Sequence, residues 1–258
     1  MSDDLFDLRG KVAIVTGSSR GIGRAIATRF AQRGARVVIS SRDAEACAQV
    51  VAELAAAGHA ALAIPAHVGK KEQLAALVAG TVAHWGGLDV VVANAAVNPY
   101  YGPLAEIGDD AWDRILQSNV RGTLWLAQAS FPHIAARGGG AAIFLSSIVG
   151  LTGTRNIGAY AVSKTALIGL ARSLAVEWGP RGVRVNCIAP GIVRTDFAKA
   201  LWDDPAVADP AVARAPLRRL ADPDDVAGTA LYLASRASAY VTGQTIVVDG
   251  GLTIDAGM

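Results

Sequence analysis

Apolar residues along this chain alternate between short unbroken runs and wider-spaced stripes. Runs over residues 11–16, 36–40, 60–66, 88–93, 141–145, 183–189 and 244–248 predict seven strands. An apolar run without polar alternation marks a strand covered on both faces. Between the runs, apolar positions recur at helical spacing. Residues 21–33 carry Ile22, Ala25, Ile26 and Phe30 on one side, and Asp43 is placed to cap a helix running to Ala57. Further helices are predicted over 70–85, over a long stretch 109–137, and over 159–178. Such repetition predicts an α/β fold with a doubly wound, parallel, seven-stranded sheet and helices on both faces. No linker-like break interrupts it, so a single domain over 1–258 is expected.

Composition narrows the partners. Hydrophobic residues make up 52% of the 258 and charged residues 18%, enough for a large core. A net charge of +2 with no basic block argues against nucleic acid. No run approaches the ~18 apolar residues of a membrane span, so no membrane partner is expected. The opening MSDDLFDLRG is acidic and has no signal-type apolar centre. Cys47 and Cys187 fall in different predicted elements, which favours free thiols and a reducing, cytoplasmic setting. Neither these cysteines nor the four histidines have metal-ligand spacing, so no metal is expected.

The turn after the first strand reads TGSSRGIG, residues 16–23. Gly17, Gly21 and Gly23 permit a tight turn and close backbone approach. Ser19, Arg20 and Ile22 complete the loop, and the following helix start offers N–H groups to a pyrophosphate. The spacing is G-x-x-x-G-x-G rather than G-x-G-x-x-G, but its place between strand and helix is what dinucleotide binding requires. The same loop contains G-x-S-x-G, the elbow of serine hydrolases. That reading fails because the loop follows the very first strand, with little sheet before it to build an oxyanion loop. The second strand ends Ile39-Ser40-Ser41-Arg42, with no acid before Asp43 to hold a ribose 2′-hydroxyl. Arg20 and Arg42, beside Ser41, suit a 2′-phosphate instead, so NADP(H) is the expected cofactor.

Tyr160 and Lys164 stand four residues apart, on one face of the 159–178 helix. A phenol titrates near ~10, and a neighbouring ammonium lowers that value, which makes Tyr160 a candidate general acid or base. Ser147 follows the fifth strand, its hydroxyl placed to polarise a substrate carbonyl.

With the glycine turn, Ser147, Tyr160 and Lys164 in place, the chain resembles the short-chain dehydrogenase/reductase family over essentially its whole length. The resemblance implies a Rossmann-like fold. It makes Tyr160 the acid that protonates a developing alkoxide, with Ser147 orienting the carbonyl. Lys164 would hold the nicotinamide ribose and lower the Tyr pKa, and Asn119, in QSNVRG, would position a water for proton relay. Pro190, Gly191, Ile192, Val193 and Thr195 match the segment that holds the carboxamide. Asn94 is retained in Ala93-Asn94-Ala95-Ala96, where the family often has N-N-A-G. His67 and Val68 stand where an Asp usually faces the adenine, and His67 could donate to that base.

The runs HVGK (67–70), NAAVNPYYG (94–102), SKTALIGL (163–170) and LW (201–202) resemble the NADPH-dependent carbonyl and retinal reductases of the peroxisomal type. The end Asp-Ala-Gly-Met lacks their Ser-x-Leu address, so no peroxisomal targeting is expected. The resemblance implies reversible reduction of ketones and aldehydes by a homotetramer paired through the 109–137 and Tyr160 helices and the seventh strand. Residues 192–218 read as a substrate lid, with Tyr100, Tyr101, Phe197 and Trp202 as walls of an apolar pocket. Two alternatives remain. A 3-oxoacyl-carrier-protein reductase has the same four residues and would use a basic patch such as Arg214, Arg218 and Arg219. A nucleotide-sensing regulator on this fold would have lost the four residues.

Overall fold

A computed structural model describes residues 4–254. The termini on which the targeting expectations partly rest, 1–3 and 255–258, lie outside the described residues. The strands are β1 Val12–Thr16, β2 Arg36–Ser40, β3 Ala61–Ala63, β4 Val90–Ala93, β5 Gly140–Leu145, β6 Val183–Pro190 and β7 Thr245–Val248. They form one sheet in the order β3-β2-β1-β4-β5-β6-β7, every pair parallel. The chain winds outward from β1 to β3, then returns to place β4 on the other side of β1. That reversal opens a crevice at the carboxyl ends of β1 and β4, the ligand position of such sheets.

Alternate strand residues supply two cores. Ala13, Val15, Val37, Ile39 and Ile143 pack with Ile26 and Phe30 of helix α1 (Gly21–Gln32), Val50 and Leu54 of α2 (Ala44–Ala56), and Val226 and Leu233 of a later helix, residues 223–234. Val12, Ile14, Val38, Val91 and Phe144 face the other way, toward Leu74 and Leu77 of α3 (Lys71–Trp85) and the helices that follow β4 and β5. The period of two along each strand thus becomes a helix layer on each face.

Three elements differ from expectation. The stretch 109–137 is not one regular helix but α4 (Asp109–Leu116), a π-helical turn Gln117–Arg121, and α5 (Gly122–Ala136). In that turn the Gly122 N–H donates to Gln117 O, five residues back. Residues 60–66 yield a shorter edge strand β3, although Ile64 and Ala66 still donate to Ile39 O at 3.1 Å and Ser41 O at 3.0 Å. After α6 (Gly158–Trp178), α7 (Pro205–Arg214) lies inside the 192–218 stretch, followed by α8 (Pro223–Ala234), which the strand–helix pattern did not mark. The start of α8 did carry a signal. Pro223 is at its first position, and Asp222 N donates to Asp225 Oδ2 at 2.8 Å. As expected, Asp43 caps α2 by accepting from Ala46 N at 3.0 Å.

Candidate active site

The glycine turn is built by exclusion. Gly17 has φ +66° and Gly21 φ +56°, both in the left-handed region. A Cβ on Gly23 would lie 2.3 Å from Gly17 O, and one on Gly17 would lie 2.8 Å from Asn94 Nδ2. No side chain caps the start of α1 and no acid occupies its first turn, so the helix start keeps its attraction for an anion. Asn94, expected to touch cofactor, spends its amide on the turn, donating to Thr16 O at 2.8 Å and Gly17 O at 3.2 Å. Thr16 is an unanticipated brace, its hydroxyl accepting from Asn94 N at 3.1 Å. Ser18 is fully buried, donates to Val15 O at 2.6 Å and accepts from Ser40 N at 2.9 Å. It ties β1 to β2 and is not a nucleophile, which removes the hydrolase reading.

Toward β2 and β3 the charge is positive. Arg42 is exposed beside Ser41, whose hydroxyl donates to Asp43 O at 3.1 Å. His67 Nδ1 accepts from Gly69 N at 3.0 Å, leaving Nε2 to carry the ring proton. Burial first, then Arg42 and Lys70, hold the His67 pKa below its usual value. Arg20 is not turned toward this group. It pairs with Asp196 at 3.5 Å, both side chains mostly exposed, so it reaches the 192–218 stretch instead. Gly122 seats the π-turn here, since a Cβ on it would lie 2.3 Å from Val68 O.

Beyond β5 and β6 lie the remaining predicted groups. Lys164 is 3% exposed, and its Nζ donates to Leu145 O at 2.6 Å and lies 5.3 Å from the Tyr160 ring centroid. Burial pushes the Lys164 pKa down to about 8. The Tyr160 side chain is not fully covered, yet desolvation of its phenolate raises its pKa above the ordinary value. The expectation that Lys164 lowers the phenol pKa is therefore corrected. The ammonium is turned to a backbone carbonyl, and burial prevails. Ser147 Oγ accepts from Val149 N at 3.4 Å and keeps its proton for another partner. Asn119 sits in the π-turn, its Oδ1 accepting from Val97 N at 2.9 Å and its Nδ2 donating to Val97 O and Ser163 Oγ, both at 3.0 Å.

After Pro190, Gly191 is held against β7. Its N–H donates to Val248 O at 2.9 Å, and a Cβ on it would lie 2.9 Å from Asp249 Cβ. Ile192 O accepts from Ala221 N at 3.1 Å, and Val193 bridges Ala221. Thr195 stands over the start of α1, its Cγ2 3.2 Å from where a Cβ of Gly21 would be.

Of the expected pocket aromatics, Tyr101 is 73% and Phe197 58% exposed, the Phe197 ring 6.0 Å from that of Tyr160. Tyr100 and Trp202 are engaged locally, donating to Pro103 O and Thr195 O, each at 2.8 Å. A separate cavity of about 140 Å³ lies between α7 and the end of β7 and meets these groups only through Ile192. Among the described residues, no cluster of His, Cys, Asp or Glu could hold a metal, and no helix is long and apolar enough to cross a membrane.

A family model described as enoyl-(acyl carrier protein) reductase matches residues 17–253. Dehydrogenase/reductase SDR family member 4 of Oryctolagus cuniculus is 44% identical over 244 residues, 95% of this chain and 94% of that protein. The chain belongs to the short-chain dehydrogenase/reductase family. Solved members share its fold closely. A gluconate 5-dehydrogenase from Burkholderia cenocepacia J2315, in complex with NADP and tartrate, has TM-score 0.93 and 35% identity, covering 97% of this chain and 98% of that one. A 7α-hydroxysteroid dehydrogenase complexed with NADH and 7-oxo glycochenodeoxycholic acid has TM-score 0.93 and 34% identity, covering 97% of each chain. As an oxidoreductase of this family the chain uses a nicotinamide cofactor on a small-molecule substrate. The glycine turn and the uncapped start of α1 fit the pyrophosphate of that cofactor.

Proposed function

We propose that this protein is an NADPH-dependent reductase of ketone and aldehyde carbonyls, reversible toward the alcohol, with Tyr160 as general acid/base. The observation that carries this reading is the pair Tyr160–Lys164, one turn apart on α6, with Lys164 Nζ bonded to Leu145 O two residues before Ser147. When bound, the cofactor supplies a hydride, a proton with two electrons, to the carbonyl carbon. The carbonyl oxygen then needs a proton. A phenol whose pKa is raised keeps its proton at neutral pH and can pass it to that oxygen. Ser147 directs its free hydroxyl proton at the same oxygen, while Lys164 and Asn119 hold the surroundings of the phenol. The protonation states favour reduction, and alcohol oxidation gains as pH rises.

Arg42 and Lys70 beside His67 favour the 2′-phosphate of NADP, and His67 Nε2–H would be free to donate to the adenine. Relatives are seen with both NADP and NADH, so this cluster is what would decide the choice. Phe197 beside Tyr160, with exposed Tyr101 as the second wall in this reading, suits an apolar, preferably aromatic carbonyl, with 192–218 as the lid. These aromatics support reading the chain alongside the carbonyl and retinal reductases, and the homotetramer expectation goes with that reading. The acyl-carrier alternative loses part of its basic patch. Arg219 forks onto Asp225 at 2.6 and 2.8 Å, and Arg218 donates to Ala213 O.

The test is oxidation of NADPH and NADH against an aromatic diketone, retinal, a steroid ketone and a 3-oxoacyl thioester. Fast turnover of the diketone or retinal with NADPH is expected. Turnover confined to the thioester overturns the substrate class, and a preference for NADH overturns the charge argument. Tyr160→Phe should lower kcat by roughly 10²–10⁴-fold and leave NADPH affinity intact. Retained turnover would remove the acid assignment.

A further inference from the structure

We propose that Ser163 is a positioning residue for Tyr160, coupling it to the π-turn and to the loop after β4. The inference rests on the reading of Tyr160 as the acid. Ser163 is fully buried. Its single hydroxyl proton goes to Tyr160 O at 2.7 Å, and its oxygen accepts from Asn119 Nδ2 at 3.0 Å. Asn119 in turn grips both the N–H and the carbonyl of Val97. One unbroken chain of hydrogen bonds therefore joins Val97, Asn119, Ser163 and the backbone of Tyr160.

A serine inside a helix often bonds back to a carbonyl three residues earlier, and that bond alone would be ordinary. The second bond, received from another element 44 residues away, is what a back-bond does not require. It fixes the first turn of α6 against the π-turn, at a place where the regular α-helical ladder has already been broken to present Asn119. The same chain reaches the loop that carries Tyr101, so the phenol and one wall of the substrate approach are set by a common support.

Removing the hydroxyl leaves a buried Asn119 N–H short of an acceptor and frees the turn that carries Tyr160. Because small displacements of a reacting group are costly, kcat should suffer while cofactor binding does not. Ser163→Ala and the near-isosteric Ser163→Cys are to be assayed for carbonyl reduction, with kcat expressed per NADPH-binding site so that unfolded protein is not counted. Ser163→Ala is expected to lower kcat by roughly ten- to a hundredfold, with the NADPH dissociation constant unchanged. The isotope effect from 4-deuterated NADPH should grow as the chemical step becomes limiting. Ser163→Cys, which keeps a weak donor and acceptor, should fall between the two.

Wild-type kcat per binding site in Ser163→Ala overturns the proposal, as does a loss that appears equally in NADPH affinity. Should the alanine variant not fold, wild-type kcat in Ser163→Cys overturns it in the same way. Tyr160→Phe in the same assay separates the two readings. Activity retained there removes the acid assignment itself, whereas activity lost there but kept in Ser163→Ala removes only the coupling.

Discussion

Lys164 shows what a single residue's surroundings do to its chemistry. Its spacing from Tyr160 puts both side chains on one face of α6, and the sequence makes that plain. Its burial and its bond to Leu145 O are not legible there, and neither is the burial of Tyr160 itself, which raises the phenol pKa. A buried ammonium that titrates near 8 also leaves a mark on stability. Between pH 8 and the ordinary lysine value of 10.5, the folded chain has released a proton that the unfolded chain still binds. Stability from this group therefore rises with pH in that window, and below it the cost of the buried charge is fully present. Cys187, pushed up to about 12 by burial, acts in the opposite sense above its ordinary 9.0, so the clean interval is pH 8–9. Urea titrations at pH 7, 8 and 9 should show Lys164→Met with a constant stability advantage up to about pH 8 that narrows by pH 9. A pH-independent difference would contradict the buried charge.

Among elements, the π-turn between α4 and α5 departs furthest from what periodicity foretells. Residues on either side of the turn read as helical, and nothing in the local sequence marks the residue added between them. The cause lies in packing. Gly122 meets the Val68 carbonyl so closely that no Cβ fits between them, and the widened turn brings Asn119 against Val97 and Ser163. Gly122→Ala is expected to cost about 1–3 kcal/mol by overpacking. It should also weaken NADPH binding, because Val68 must move. Urea unfolding and NADPH titration would check this, and a neutral substitution would show that the contact yields easily. The miss at α8 has a different origin. Its Asp222-Pro223 start and its Ala-rich body were readable, but it follows the irregular 192–218 stretch rather than a strand.

Across the molecule, the two ends of the sheet do different work. The carboxyl ends of β1, β4, β5 and β6 carry the glycine turn and the groups around Tyr160. The opposite end carries Asp89, 1% exposed, which accepts from Val12 N at 2.9 Å and pairs with Lys11 at 3.1 Å and Arg137 at 3.3 Å. Asp89→Ala should cost about 1.5–3 kcal/mol, chiefly through the buried bond to Val12. The two half-exposed cations are screened by water and add little. Thermal unfolding should register that loss, while kcat and NADPH affinity of the folded protein stay at wild-type values. Impaired catalysis would mean that the two ends are coupled.

The sequence by itself determined the alternation of strands and helices, the glycine turn before α1, and the Tyr160–Lys164 spacing. Each follows from sterics and periodicity within a dozen or so residues, which local chain geometry enforces. Tertiary structure alone decided which group each side chain meets. Arg20 finds Asp196 across 176 residues, Asn119 finds Ser163 across 44, and Lys164 finds Leu145 O across 19. Such pairings depend on how the sheet closes and what it buries, and a linear pattern records neither.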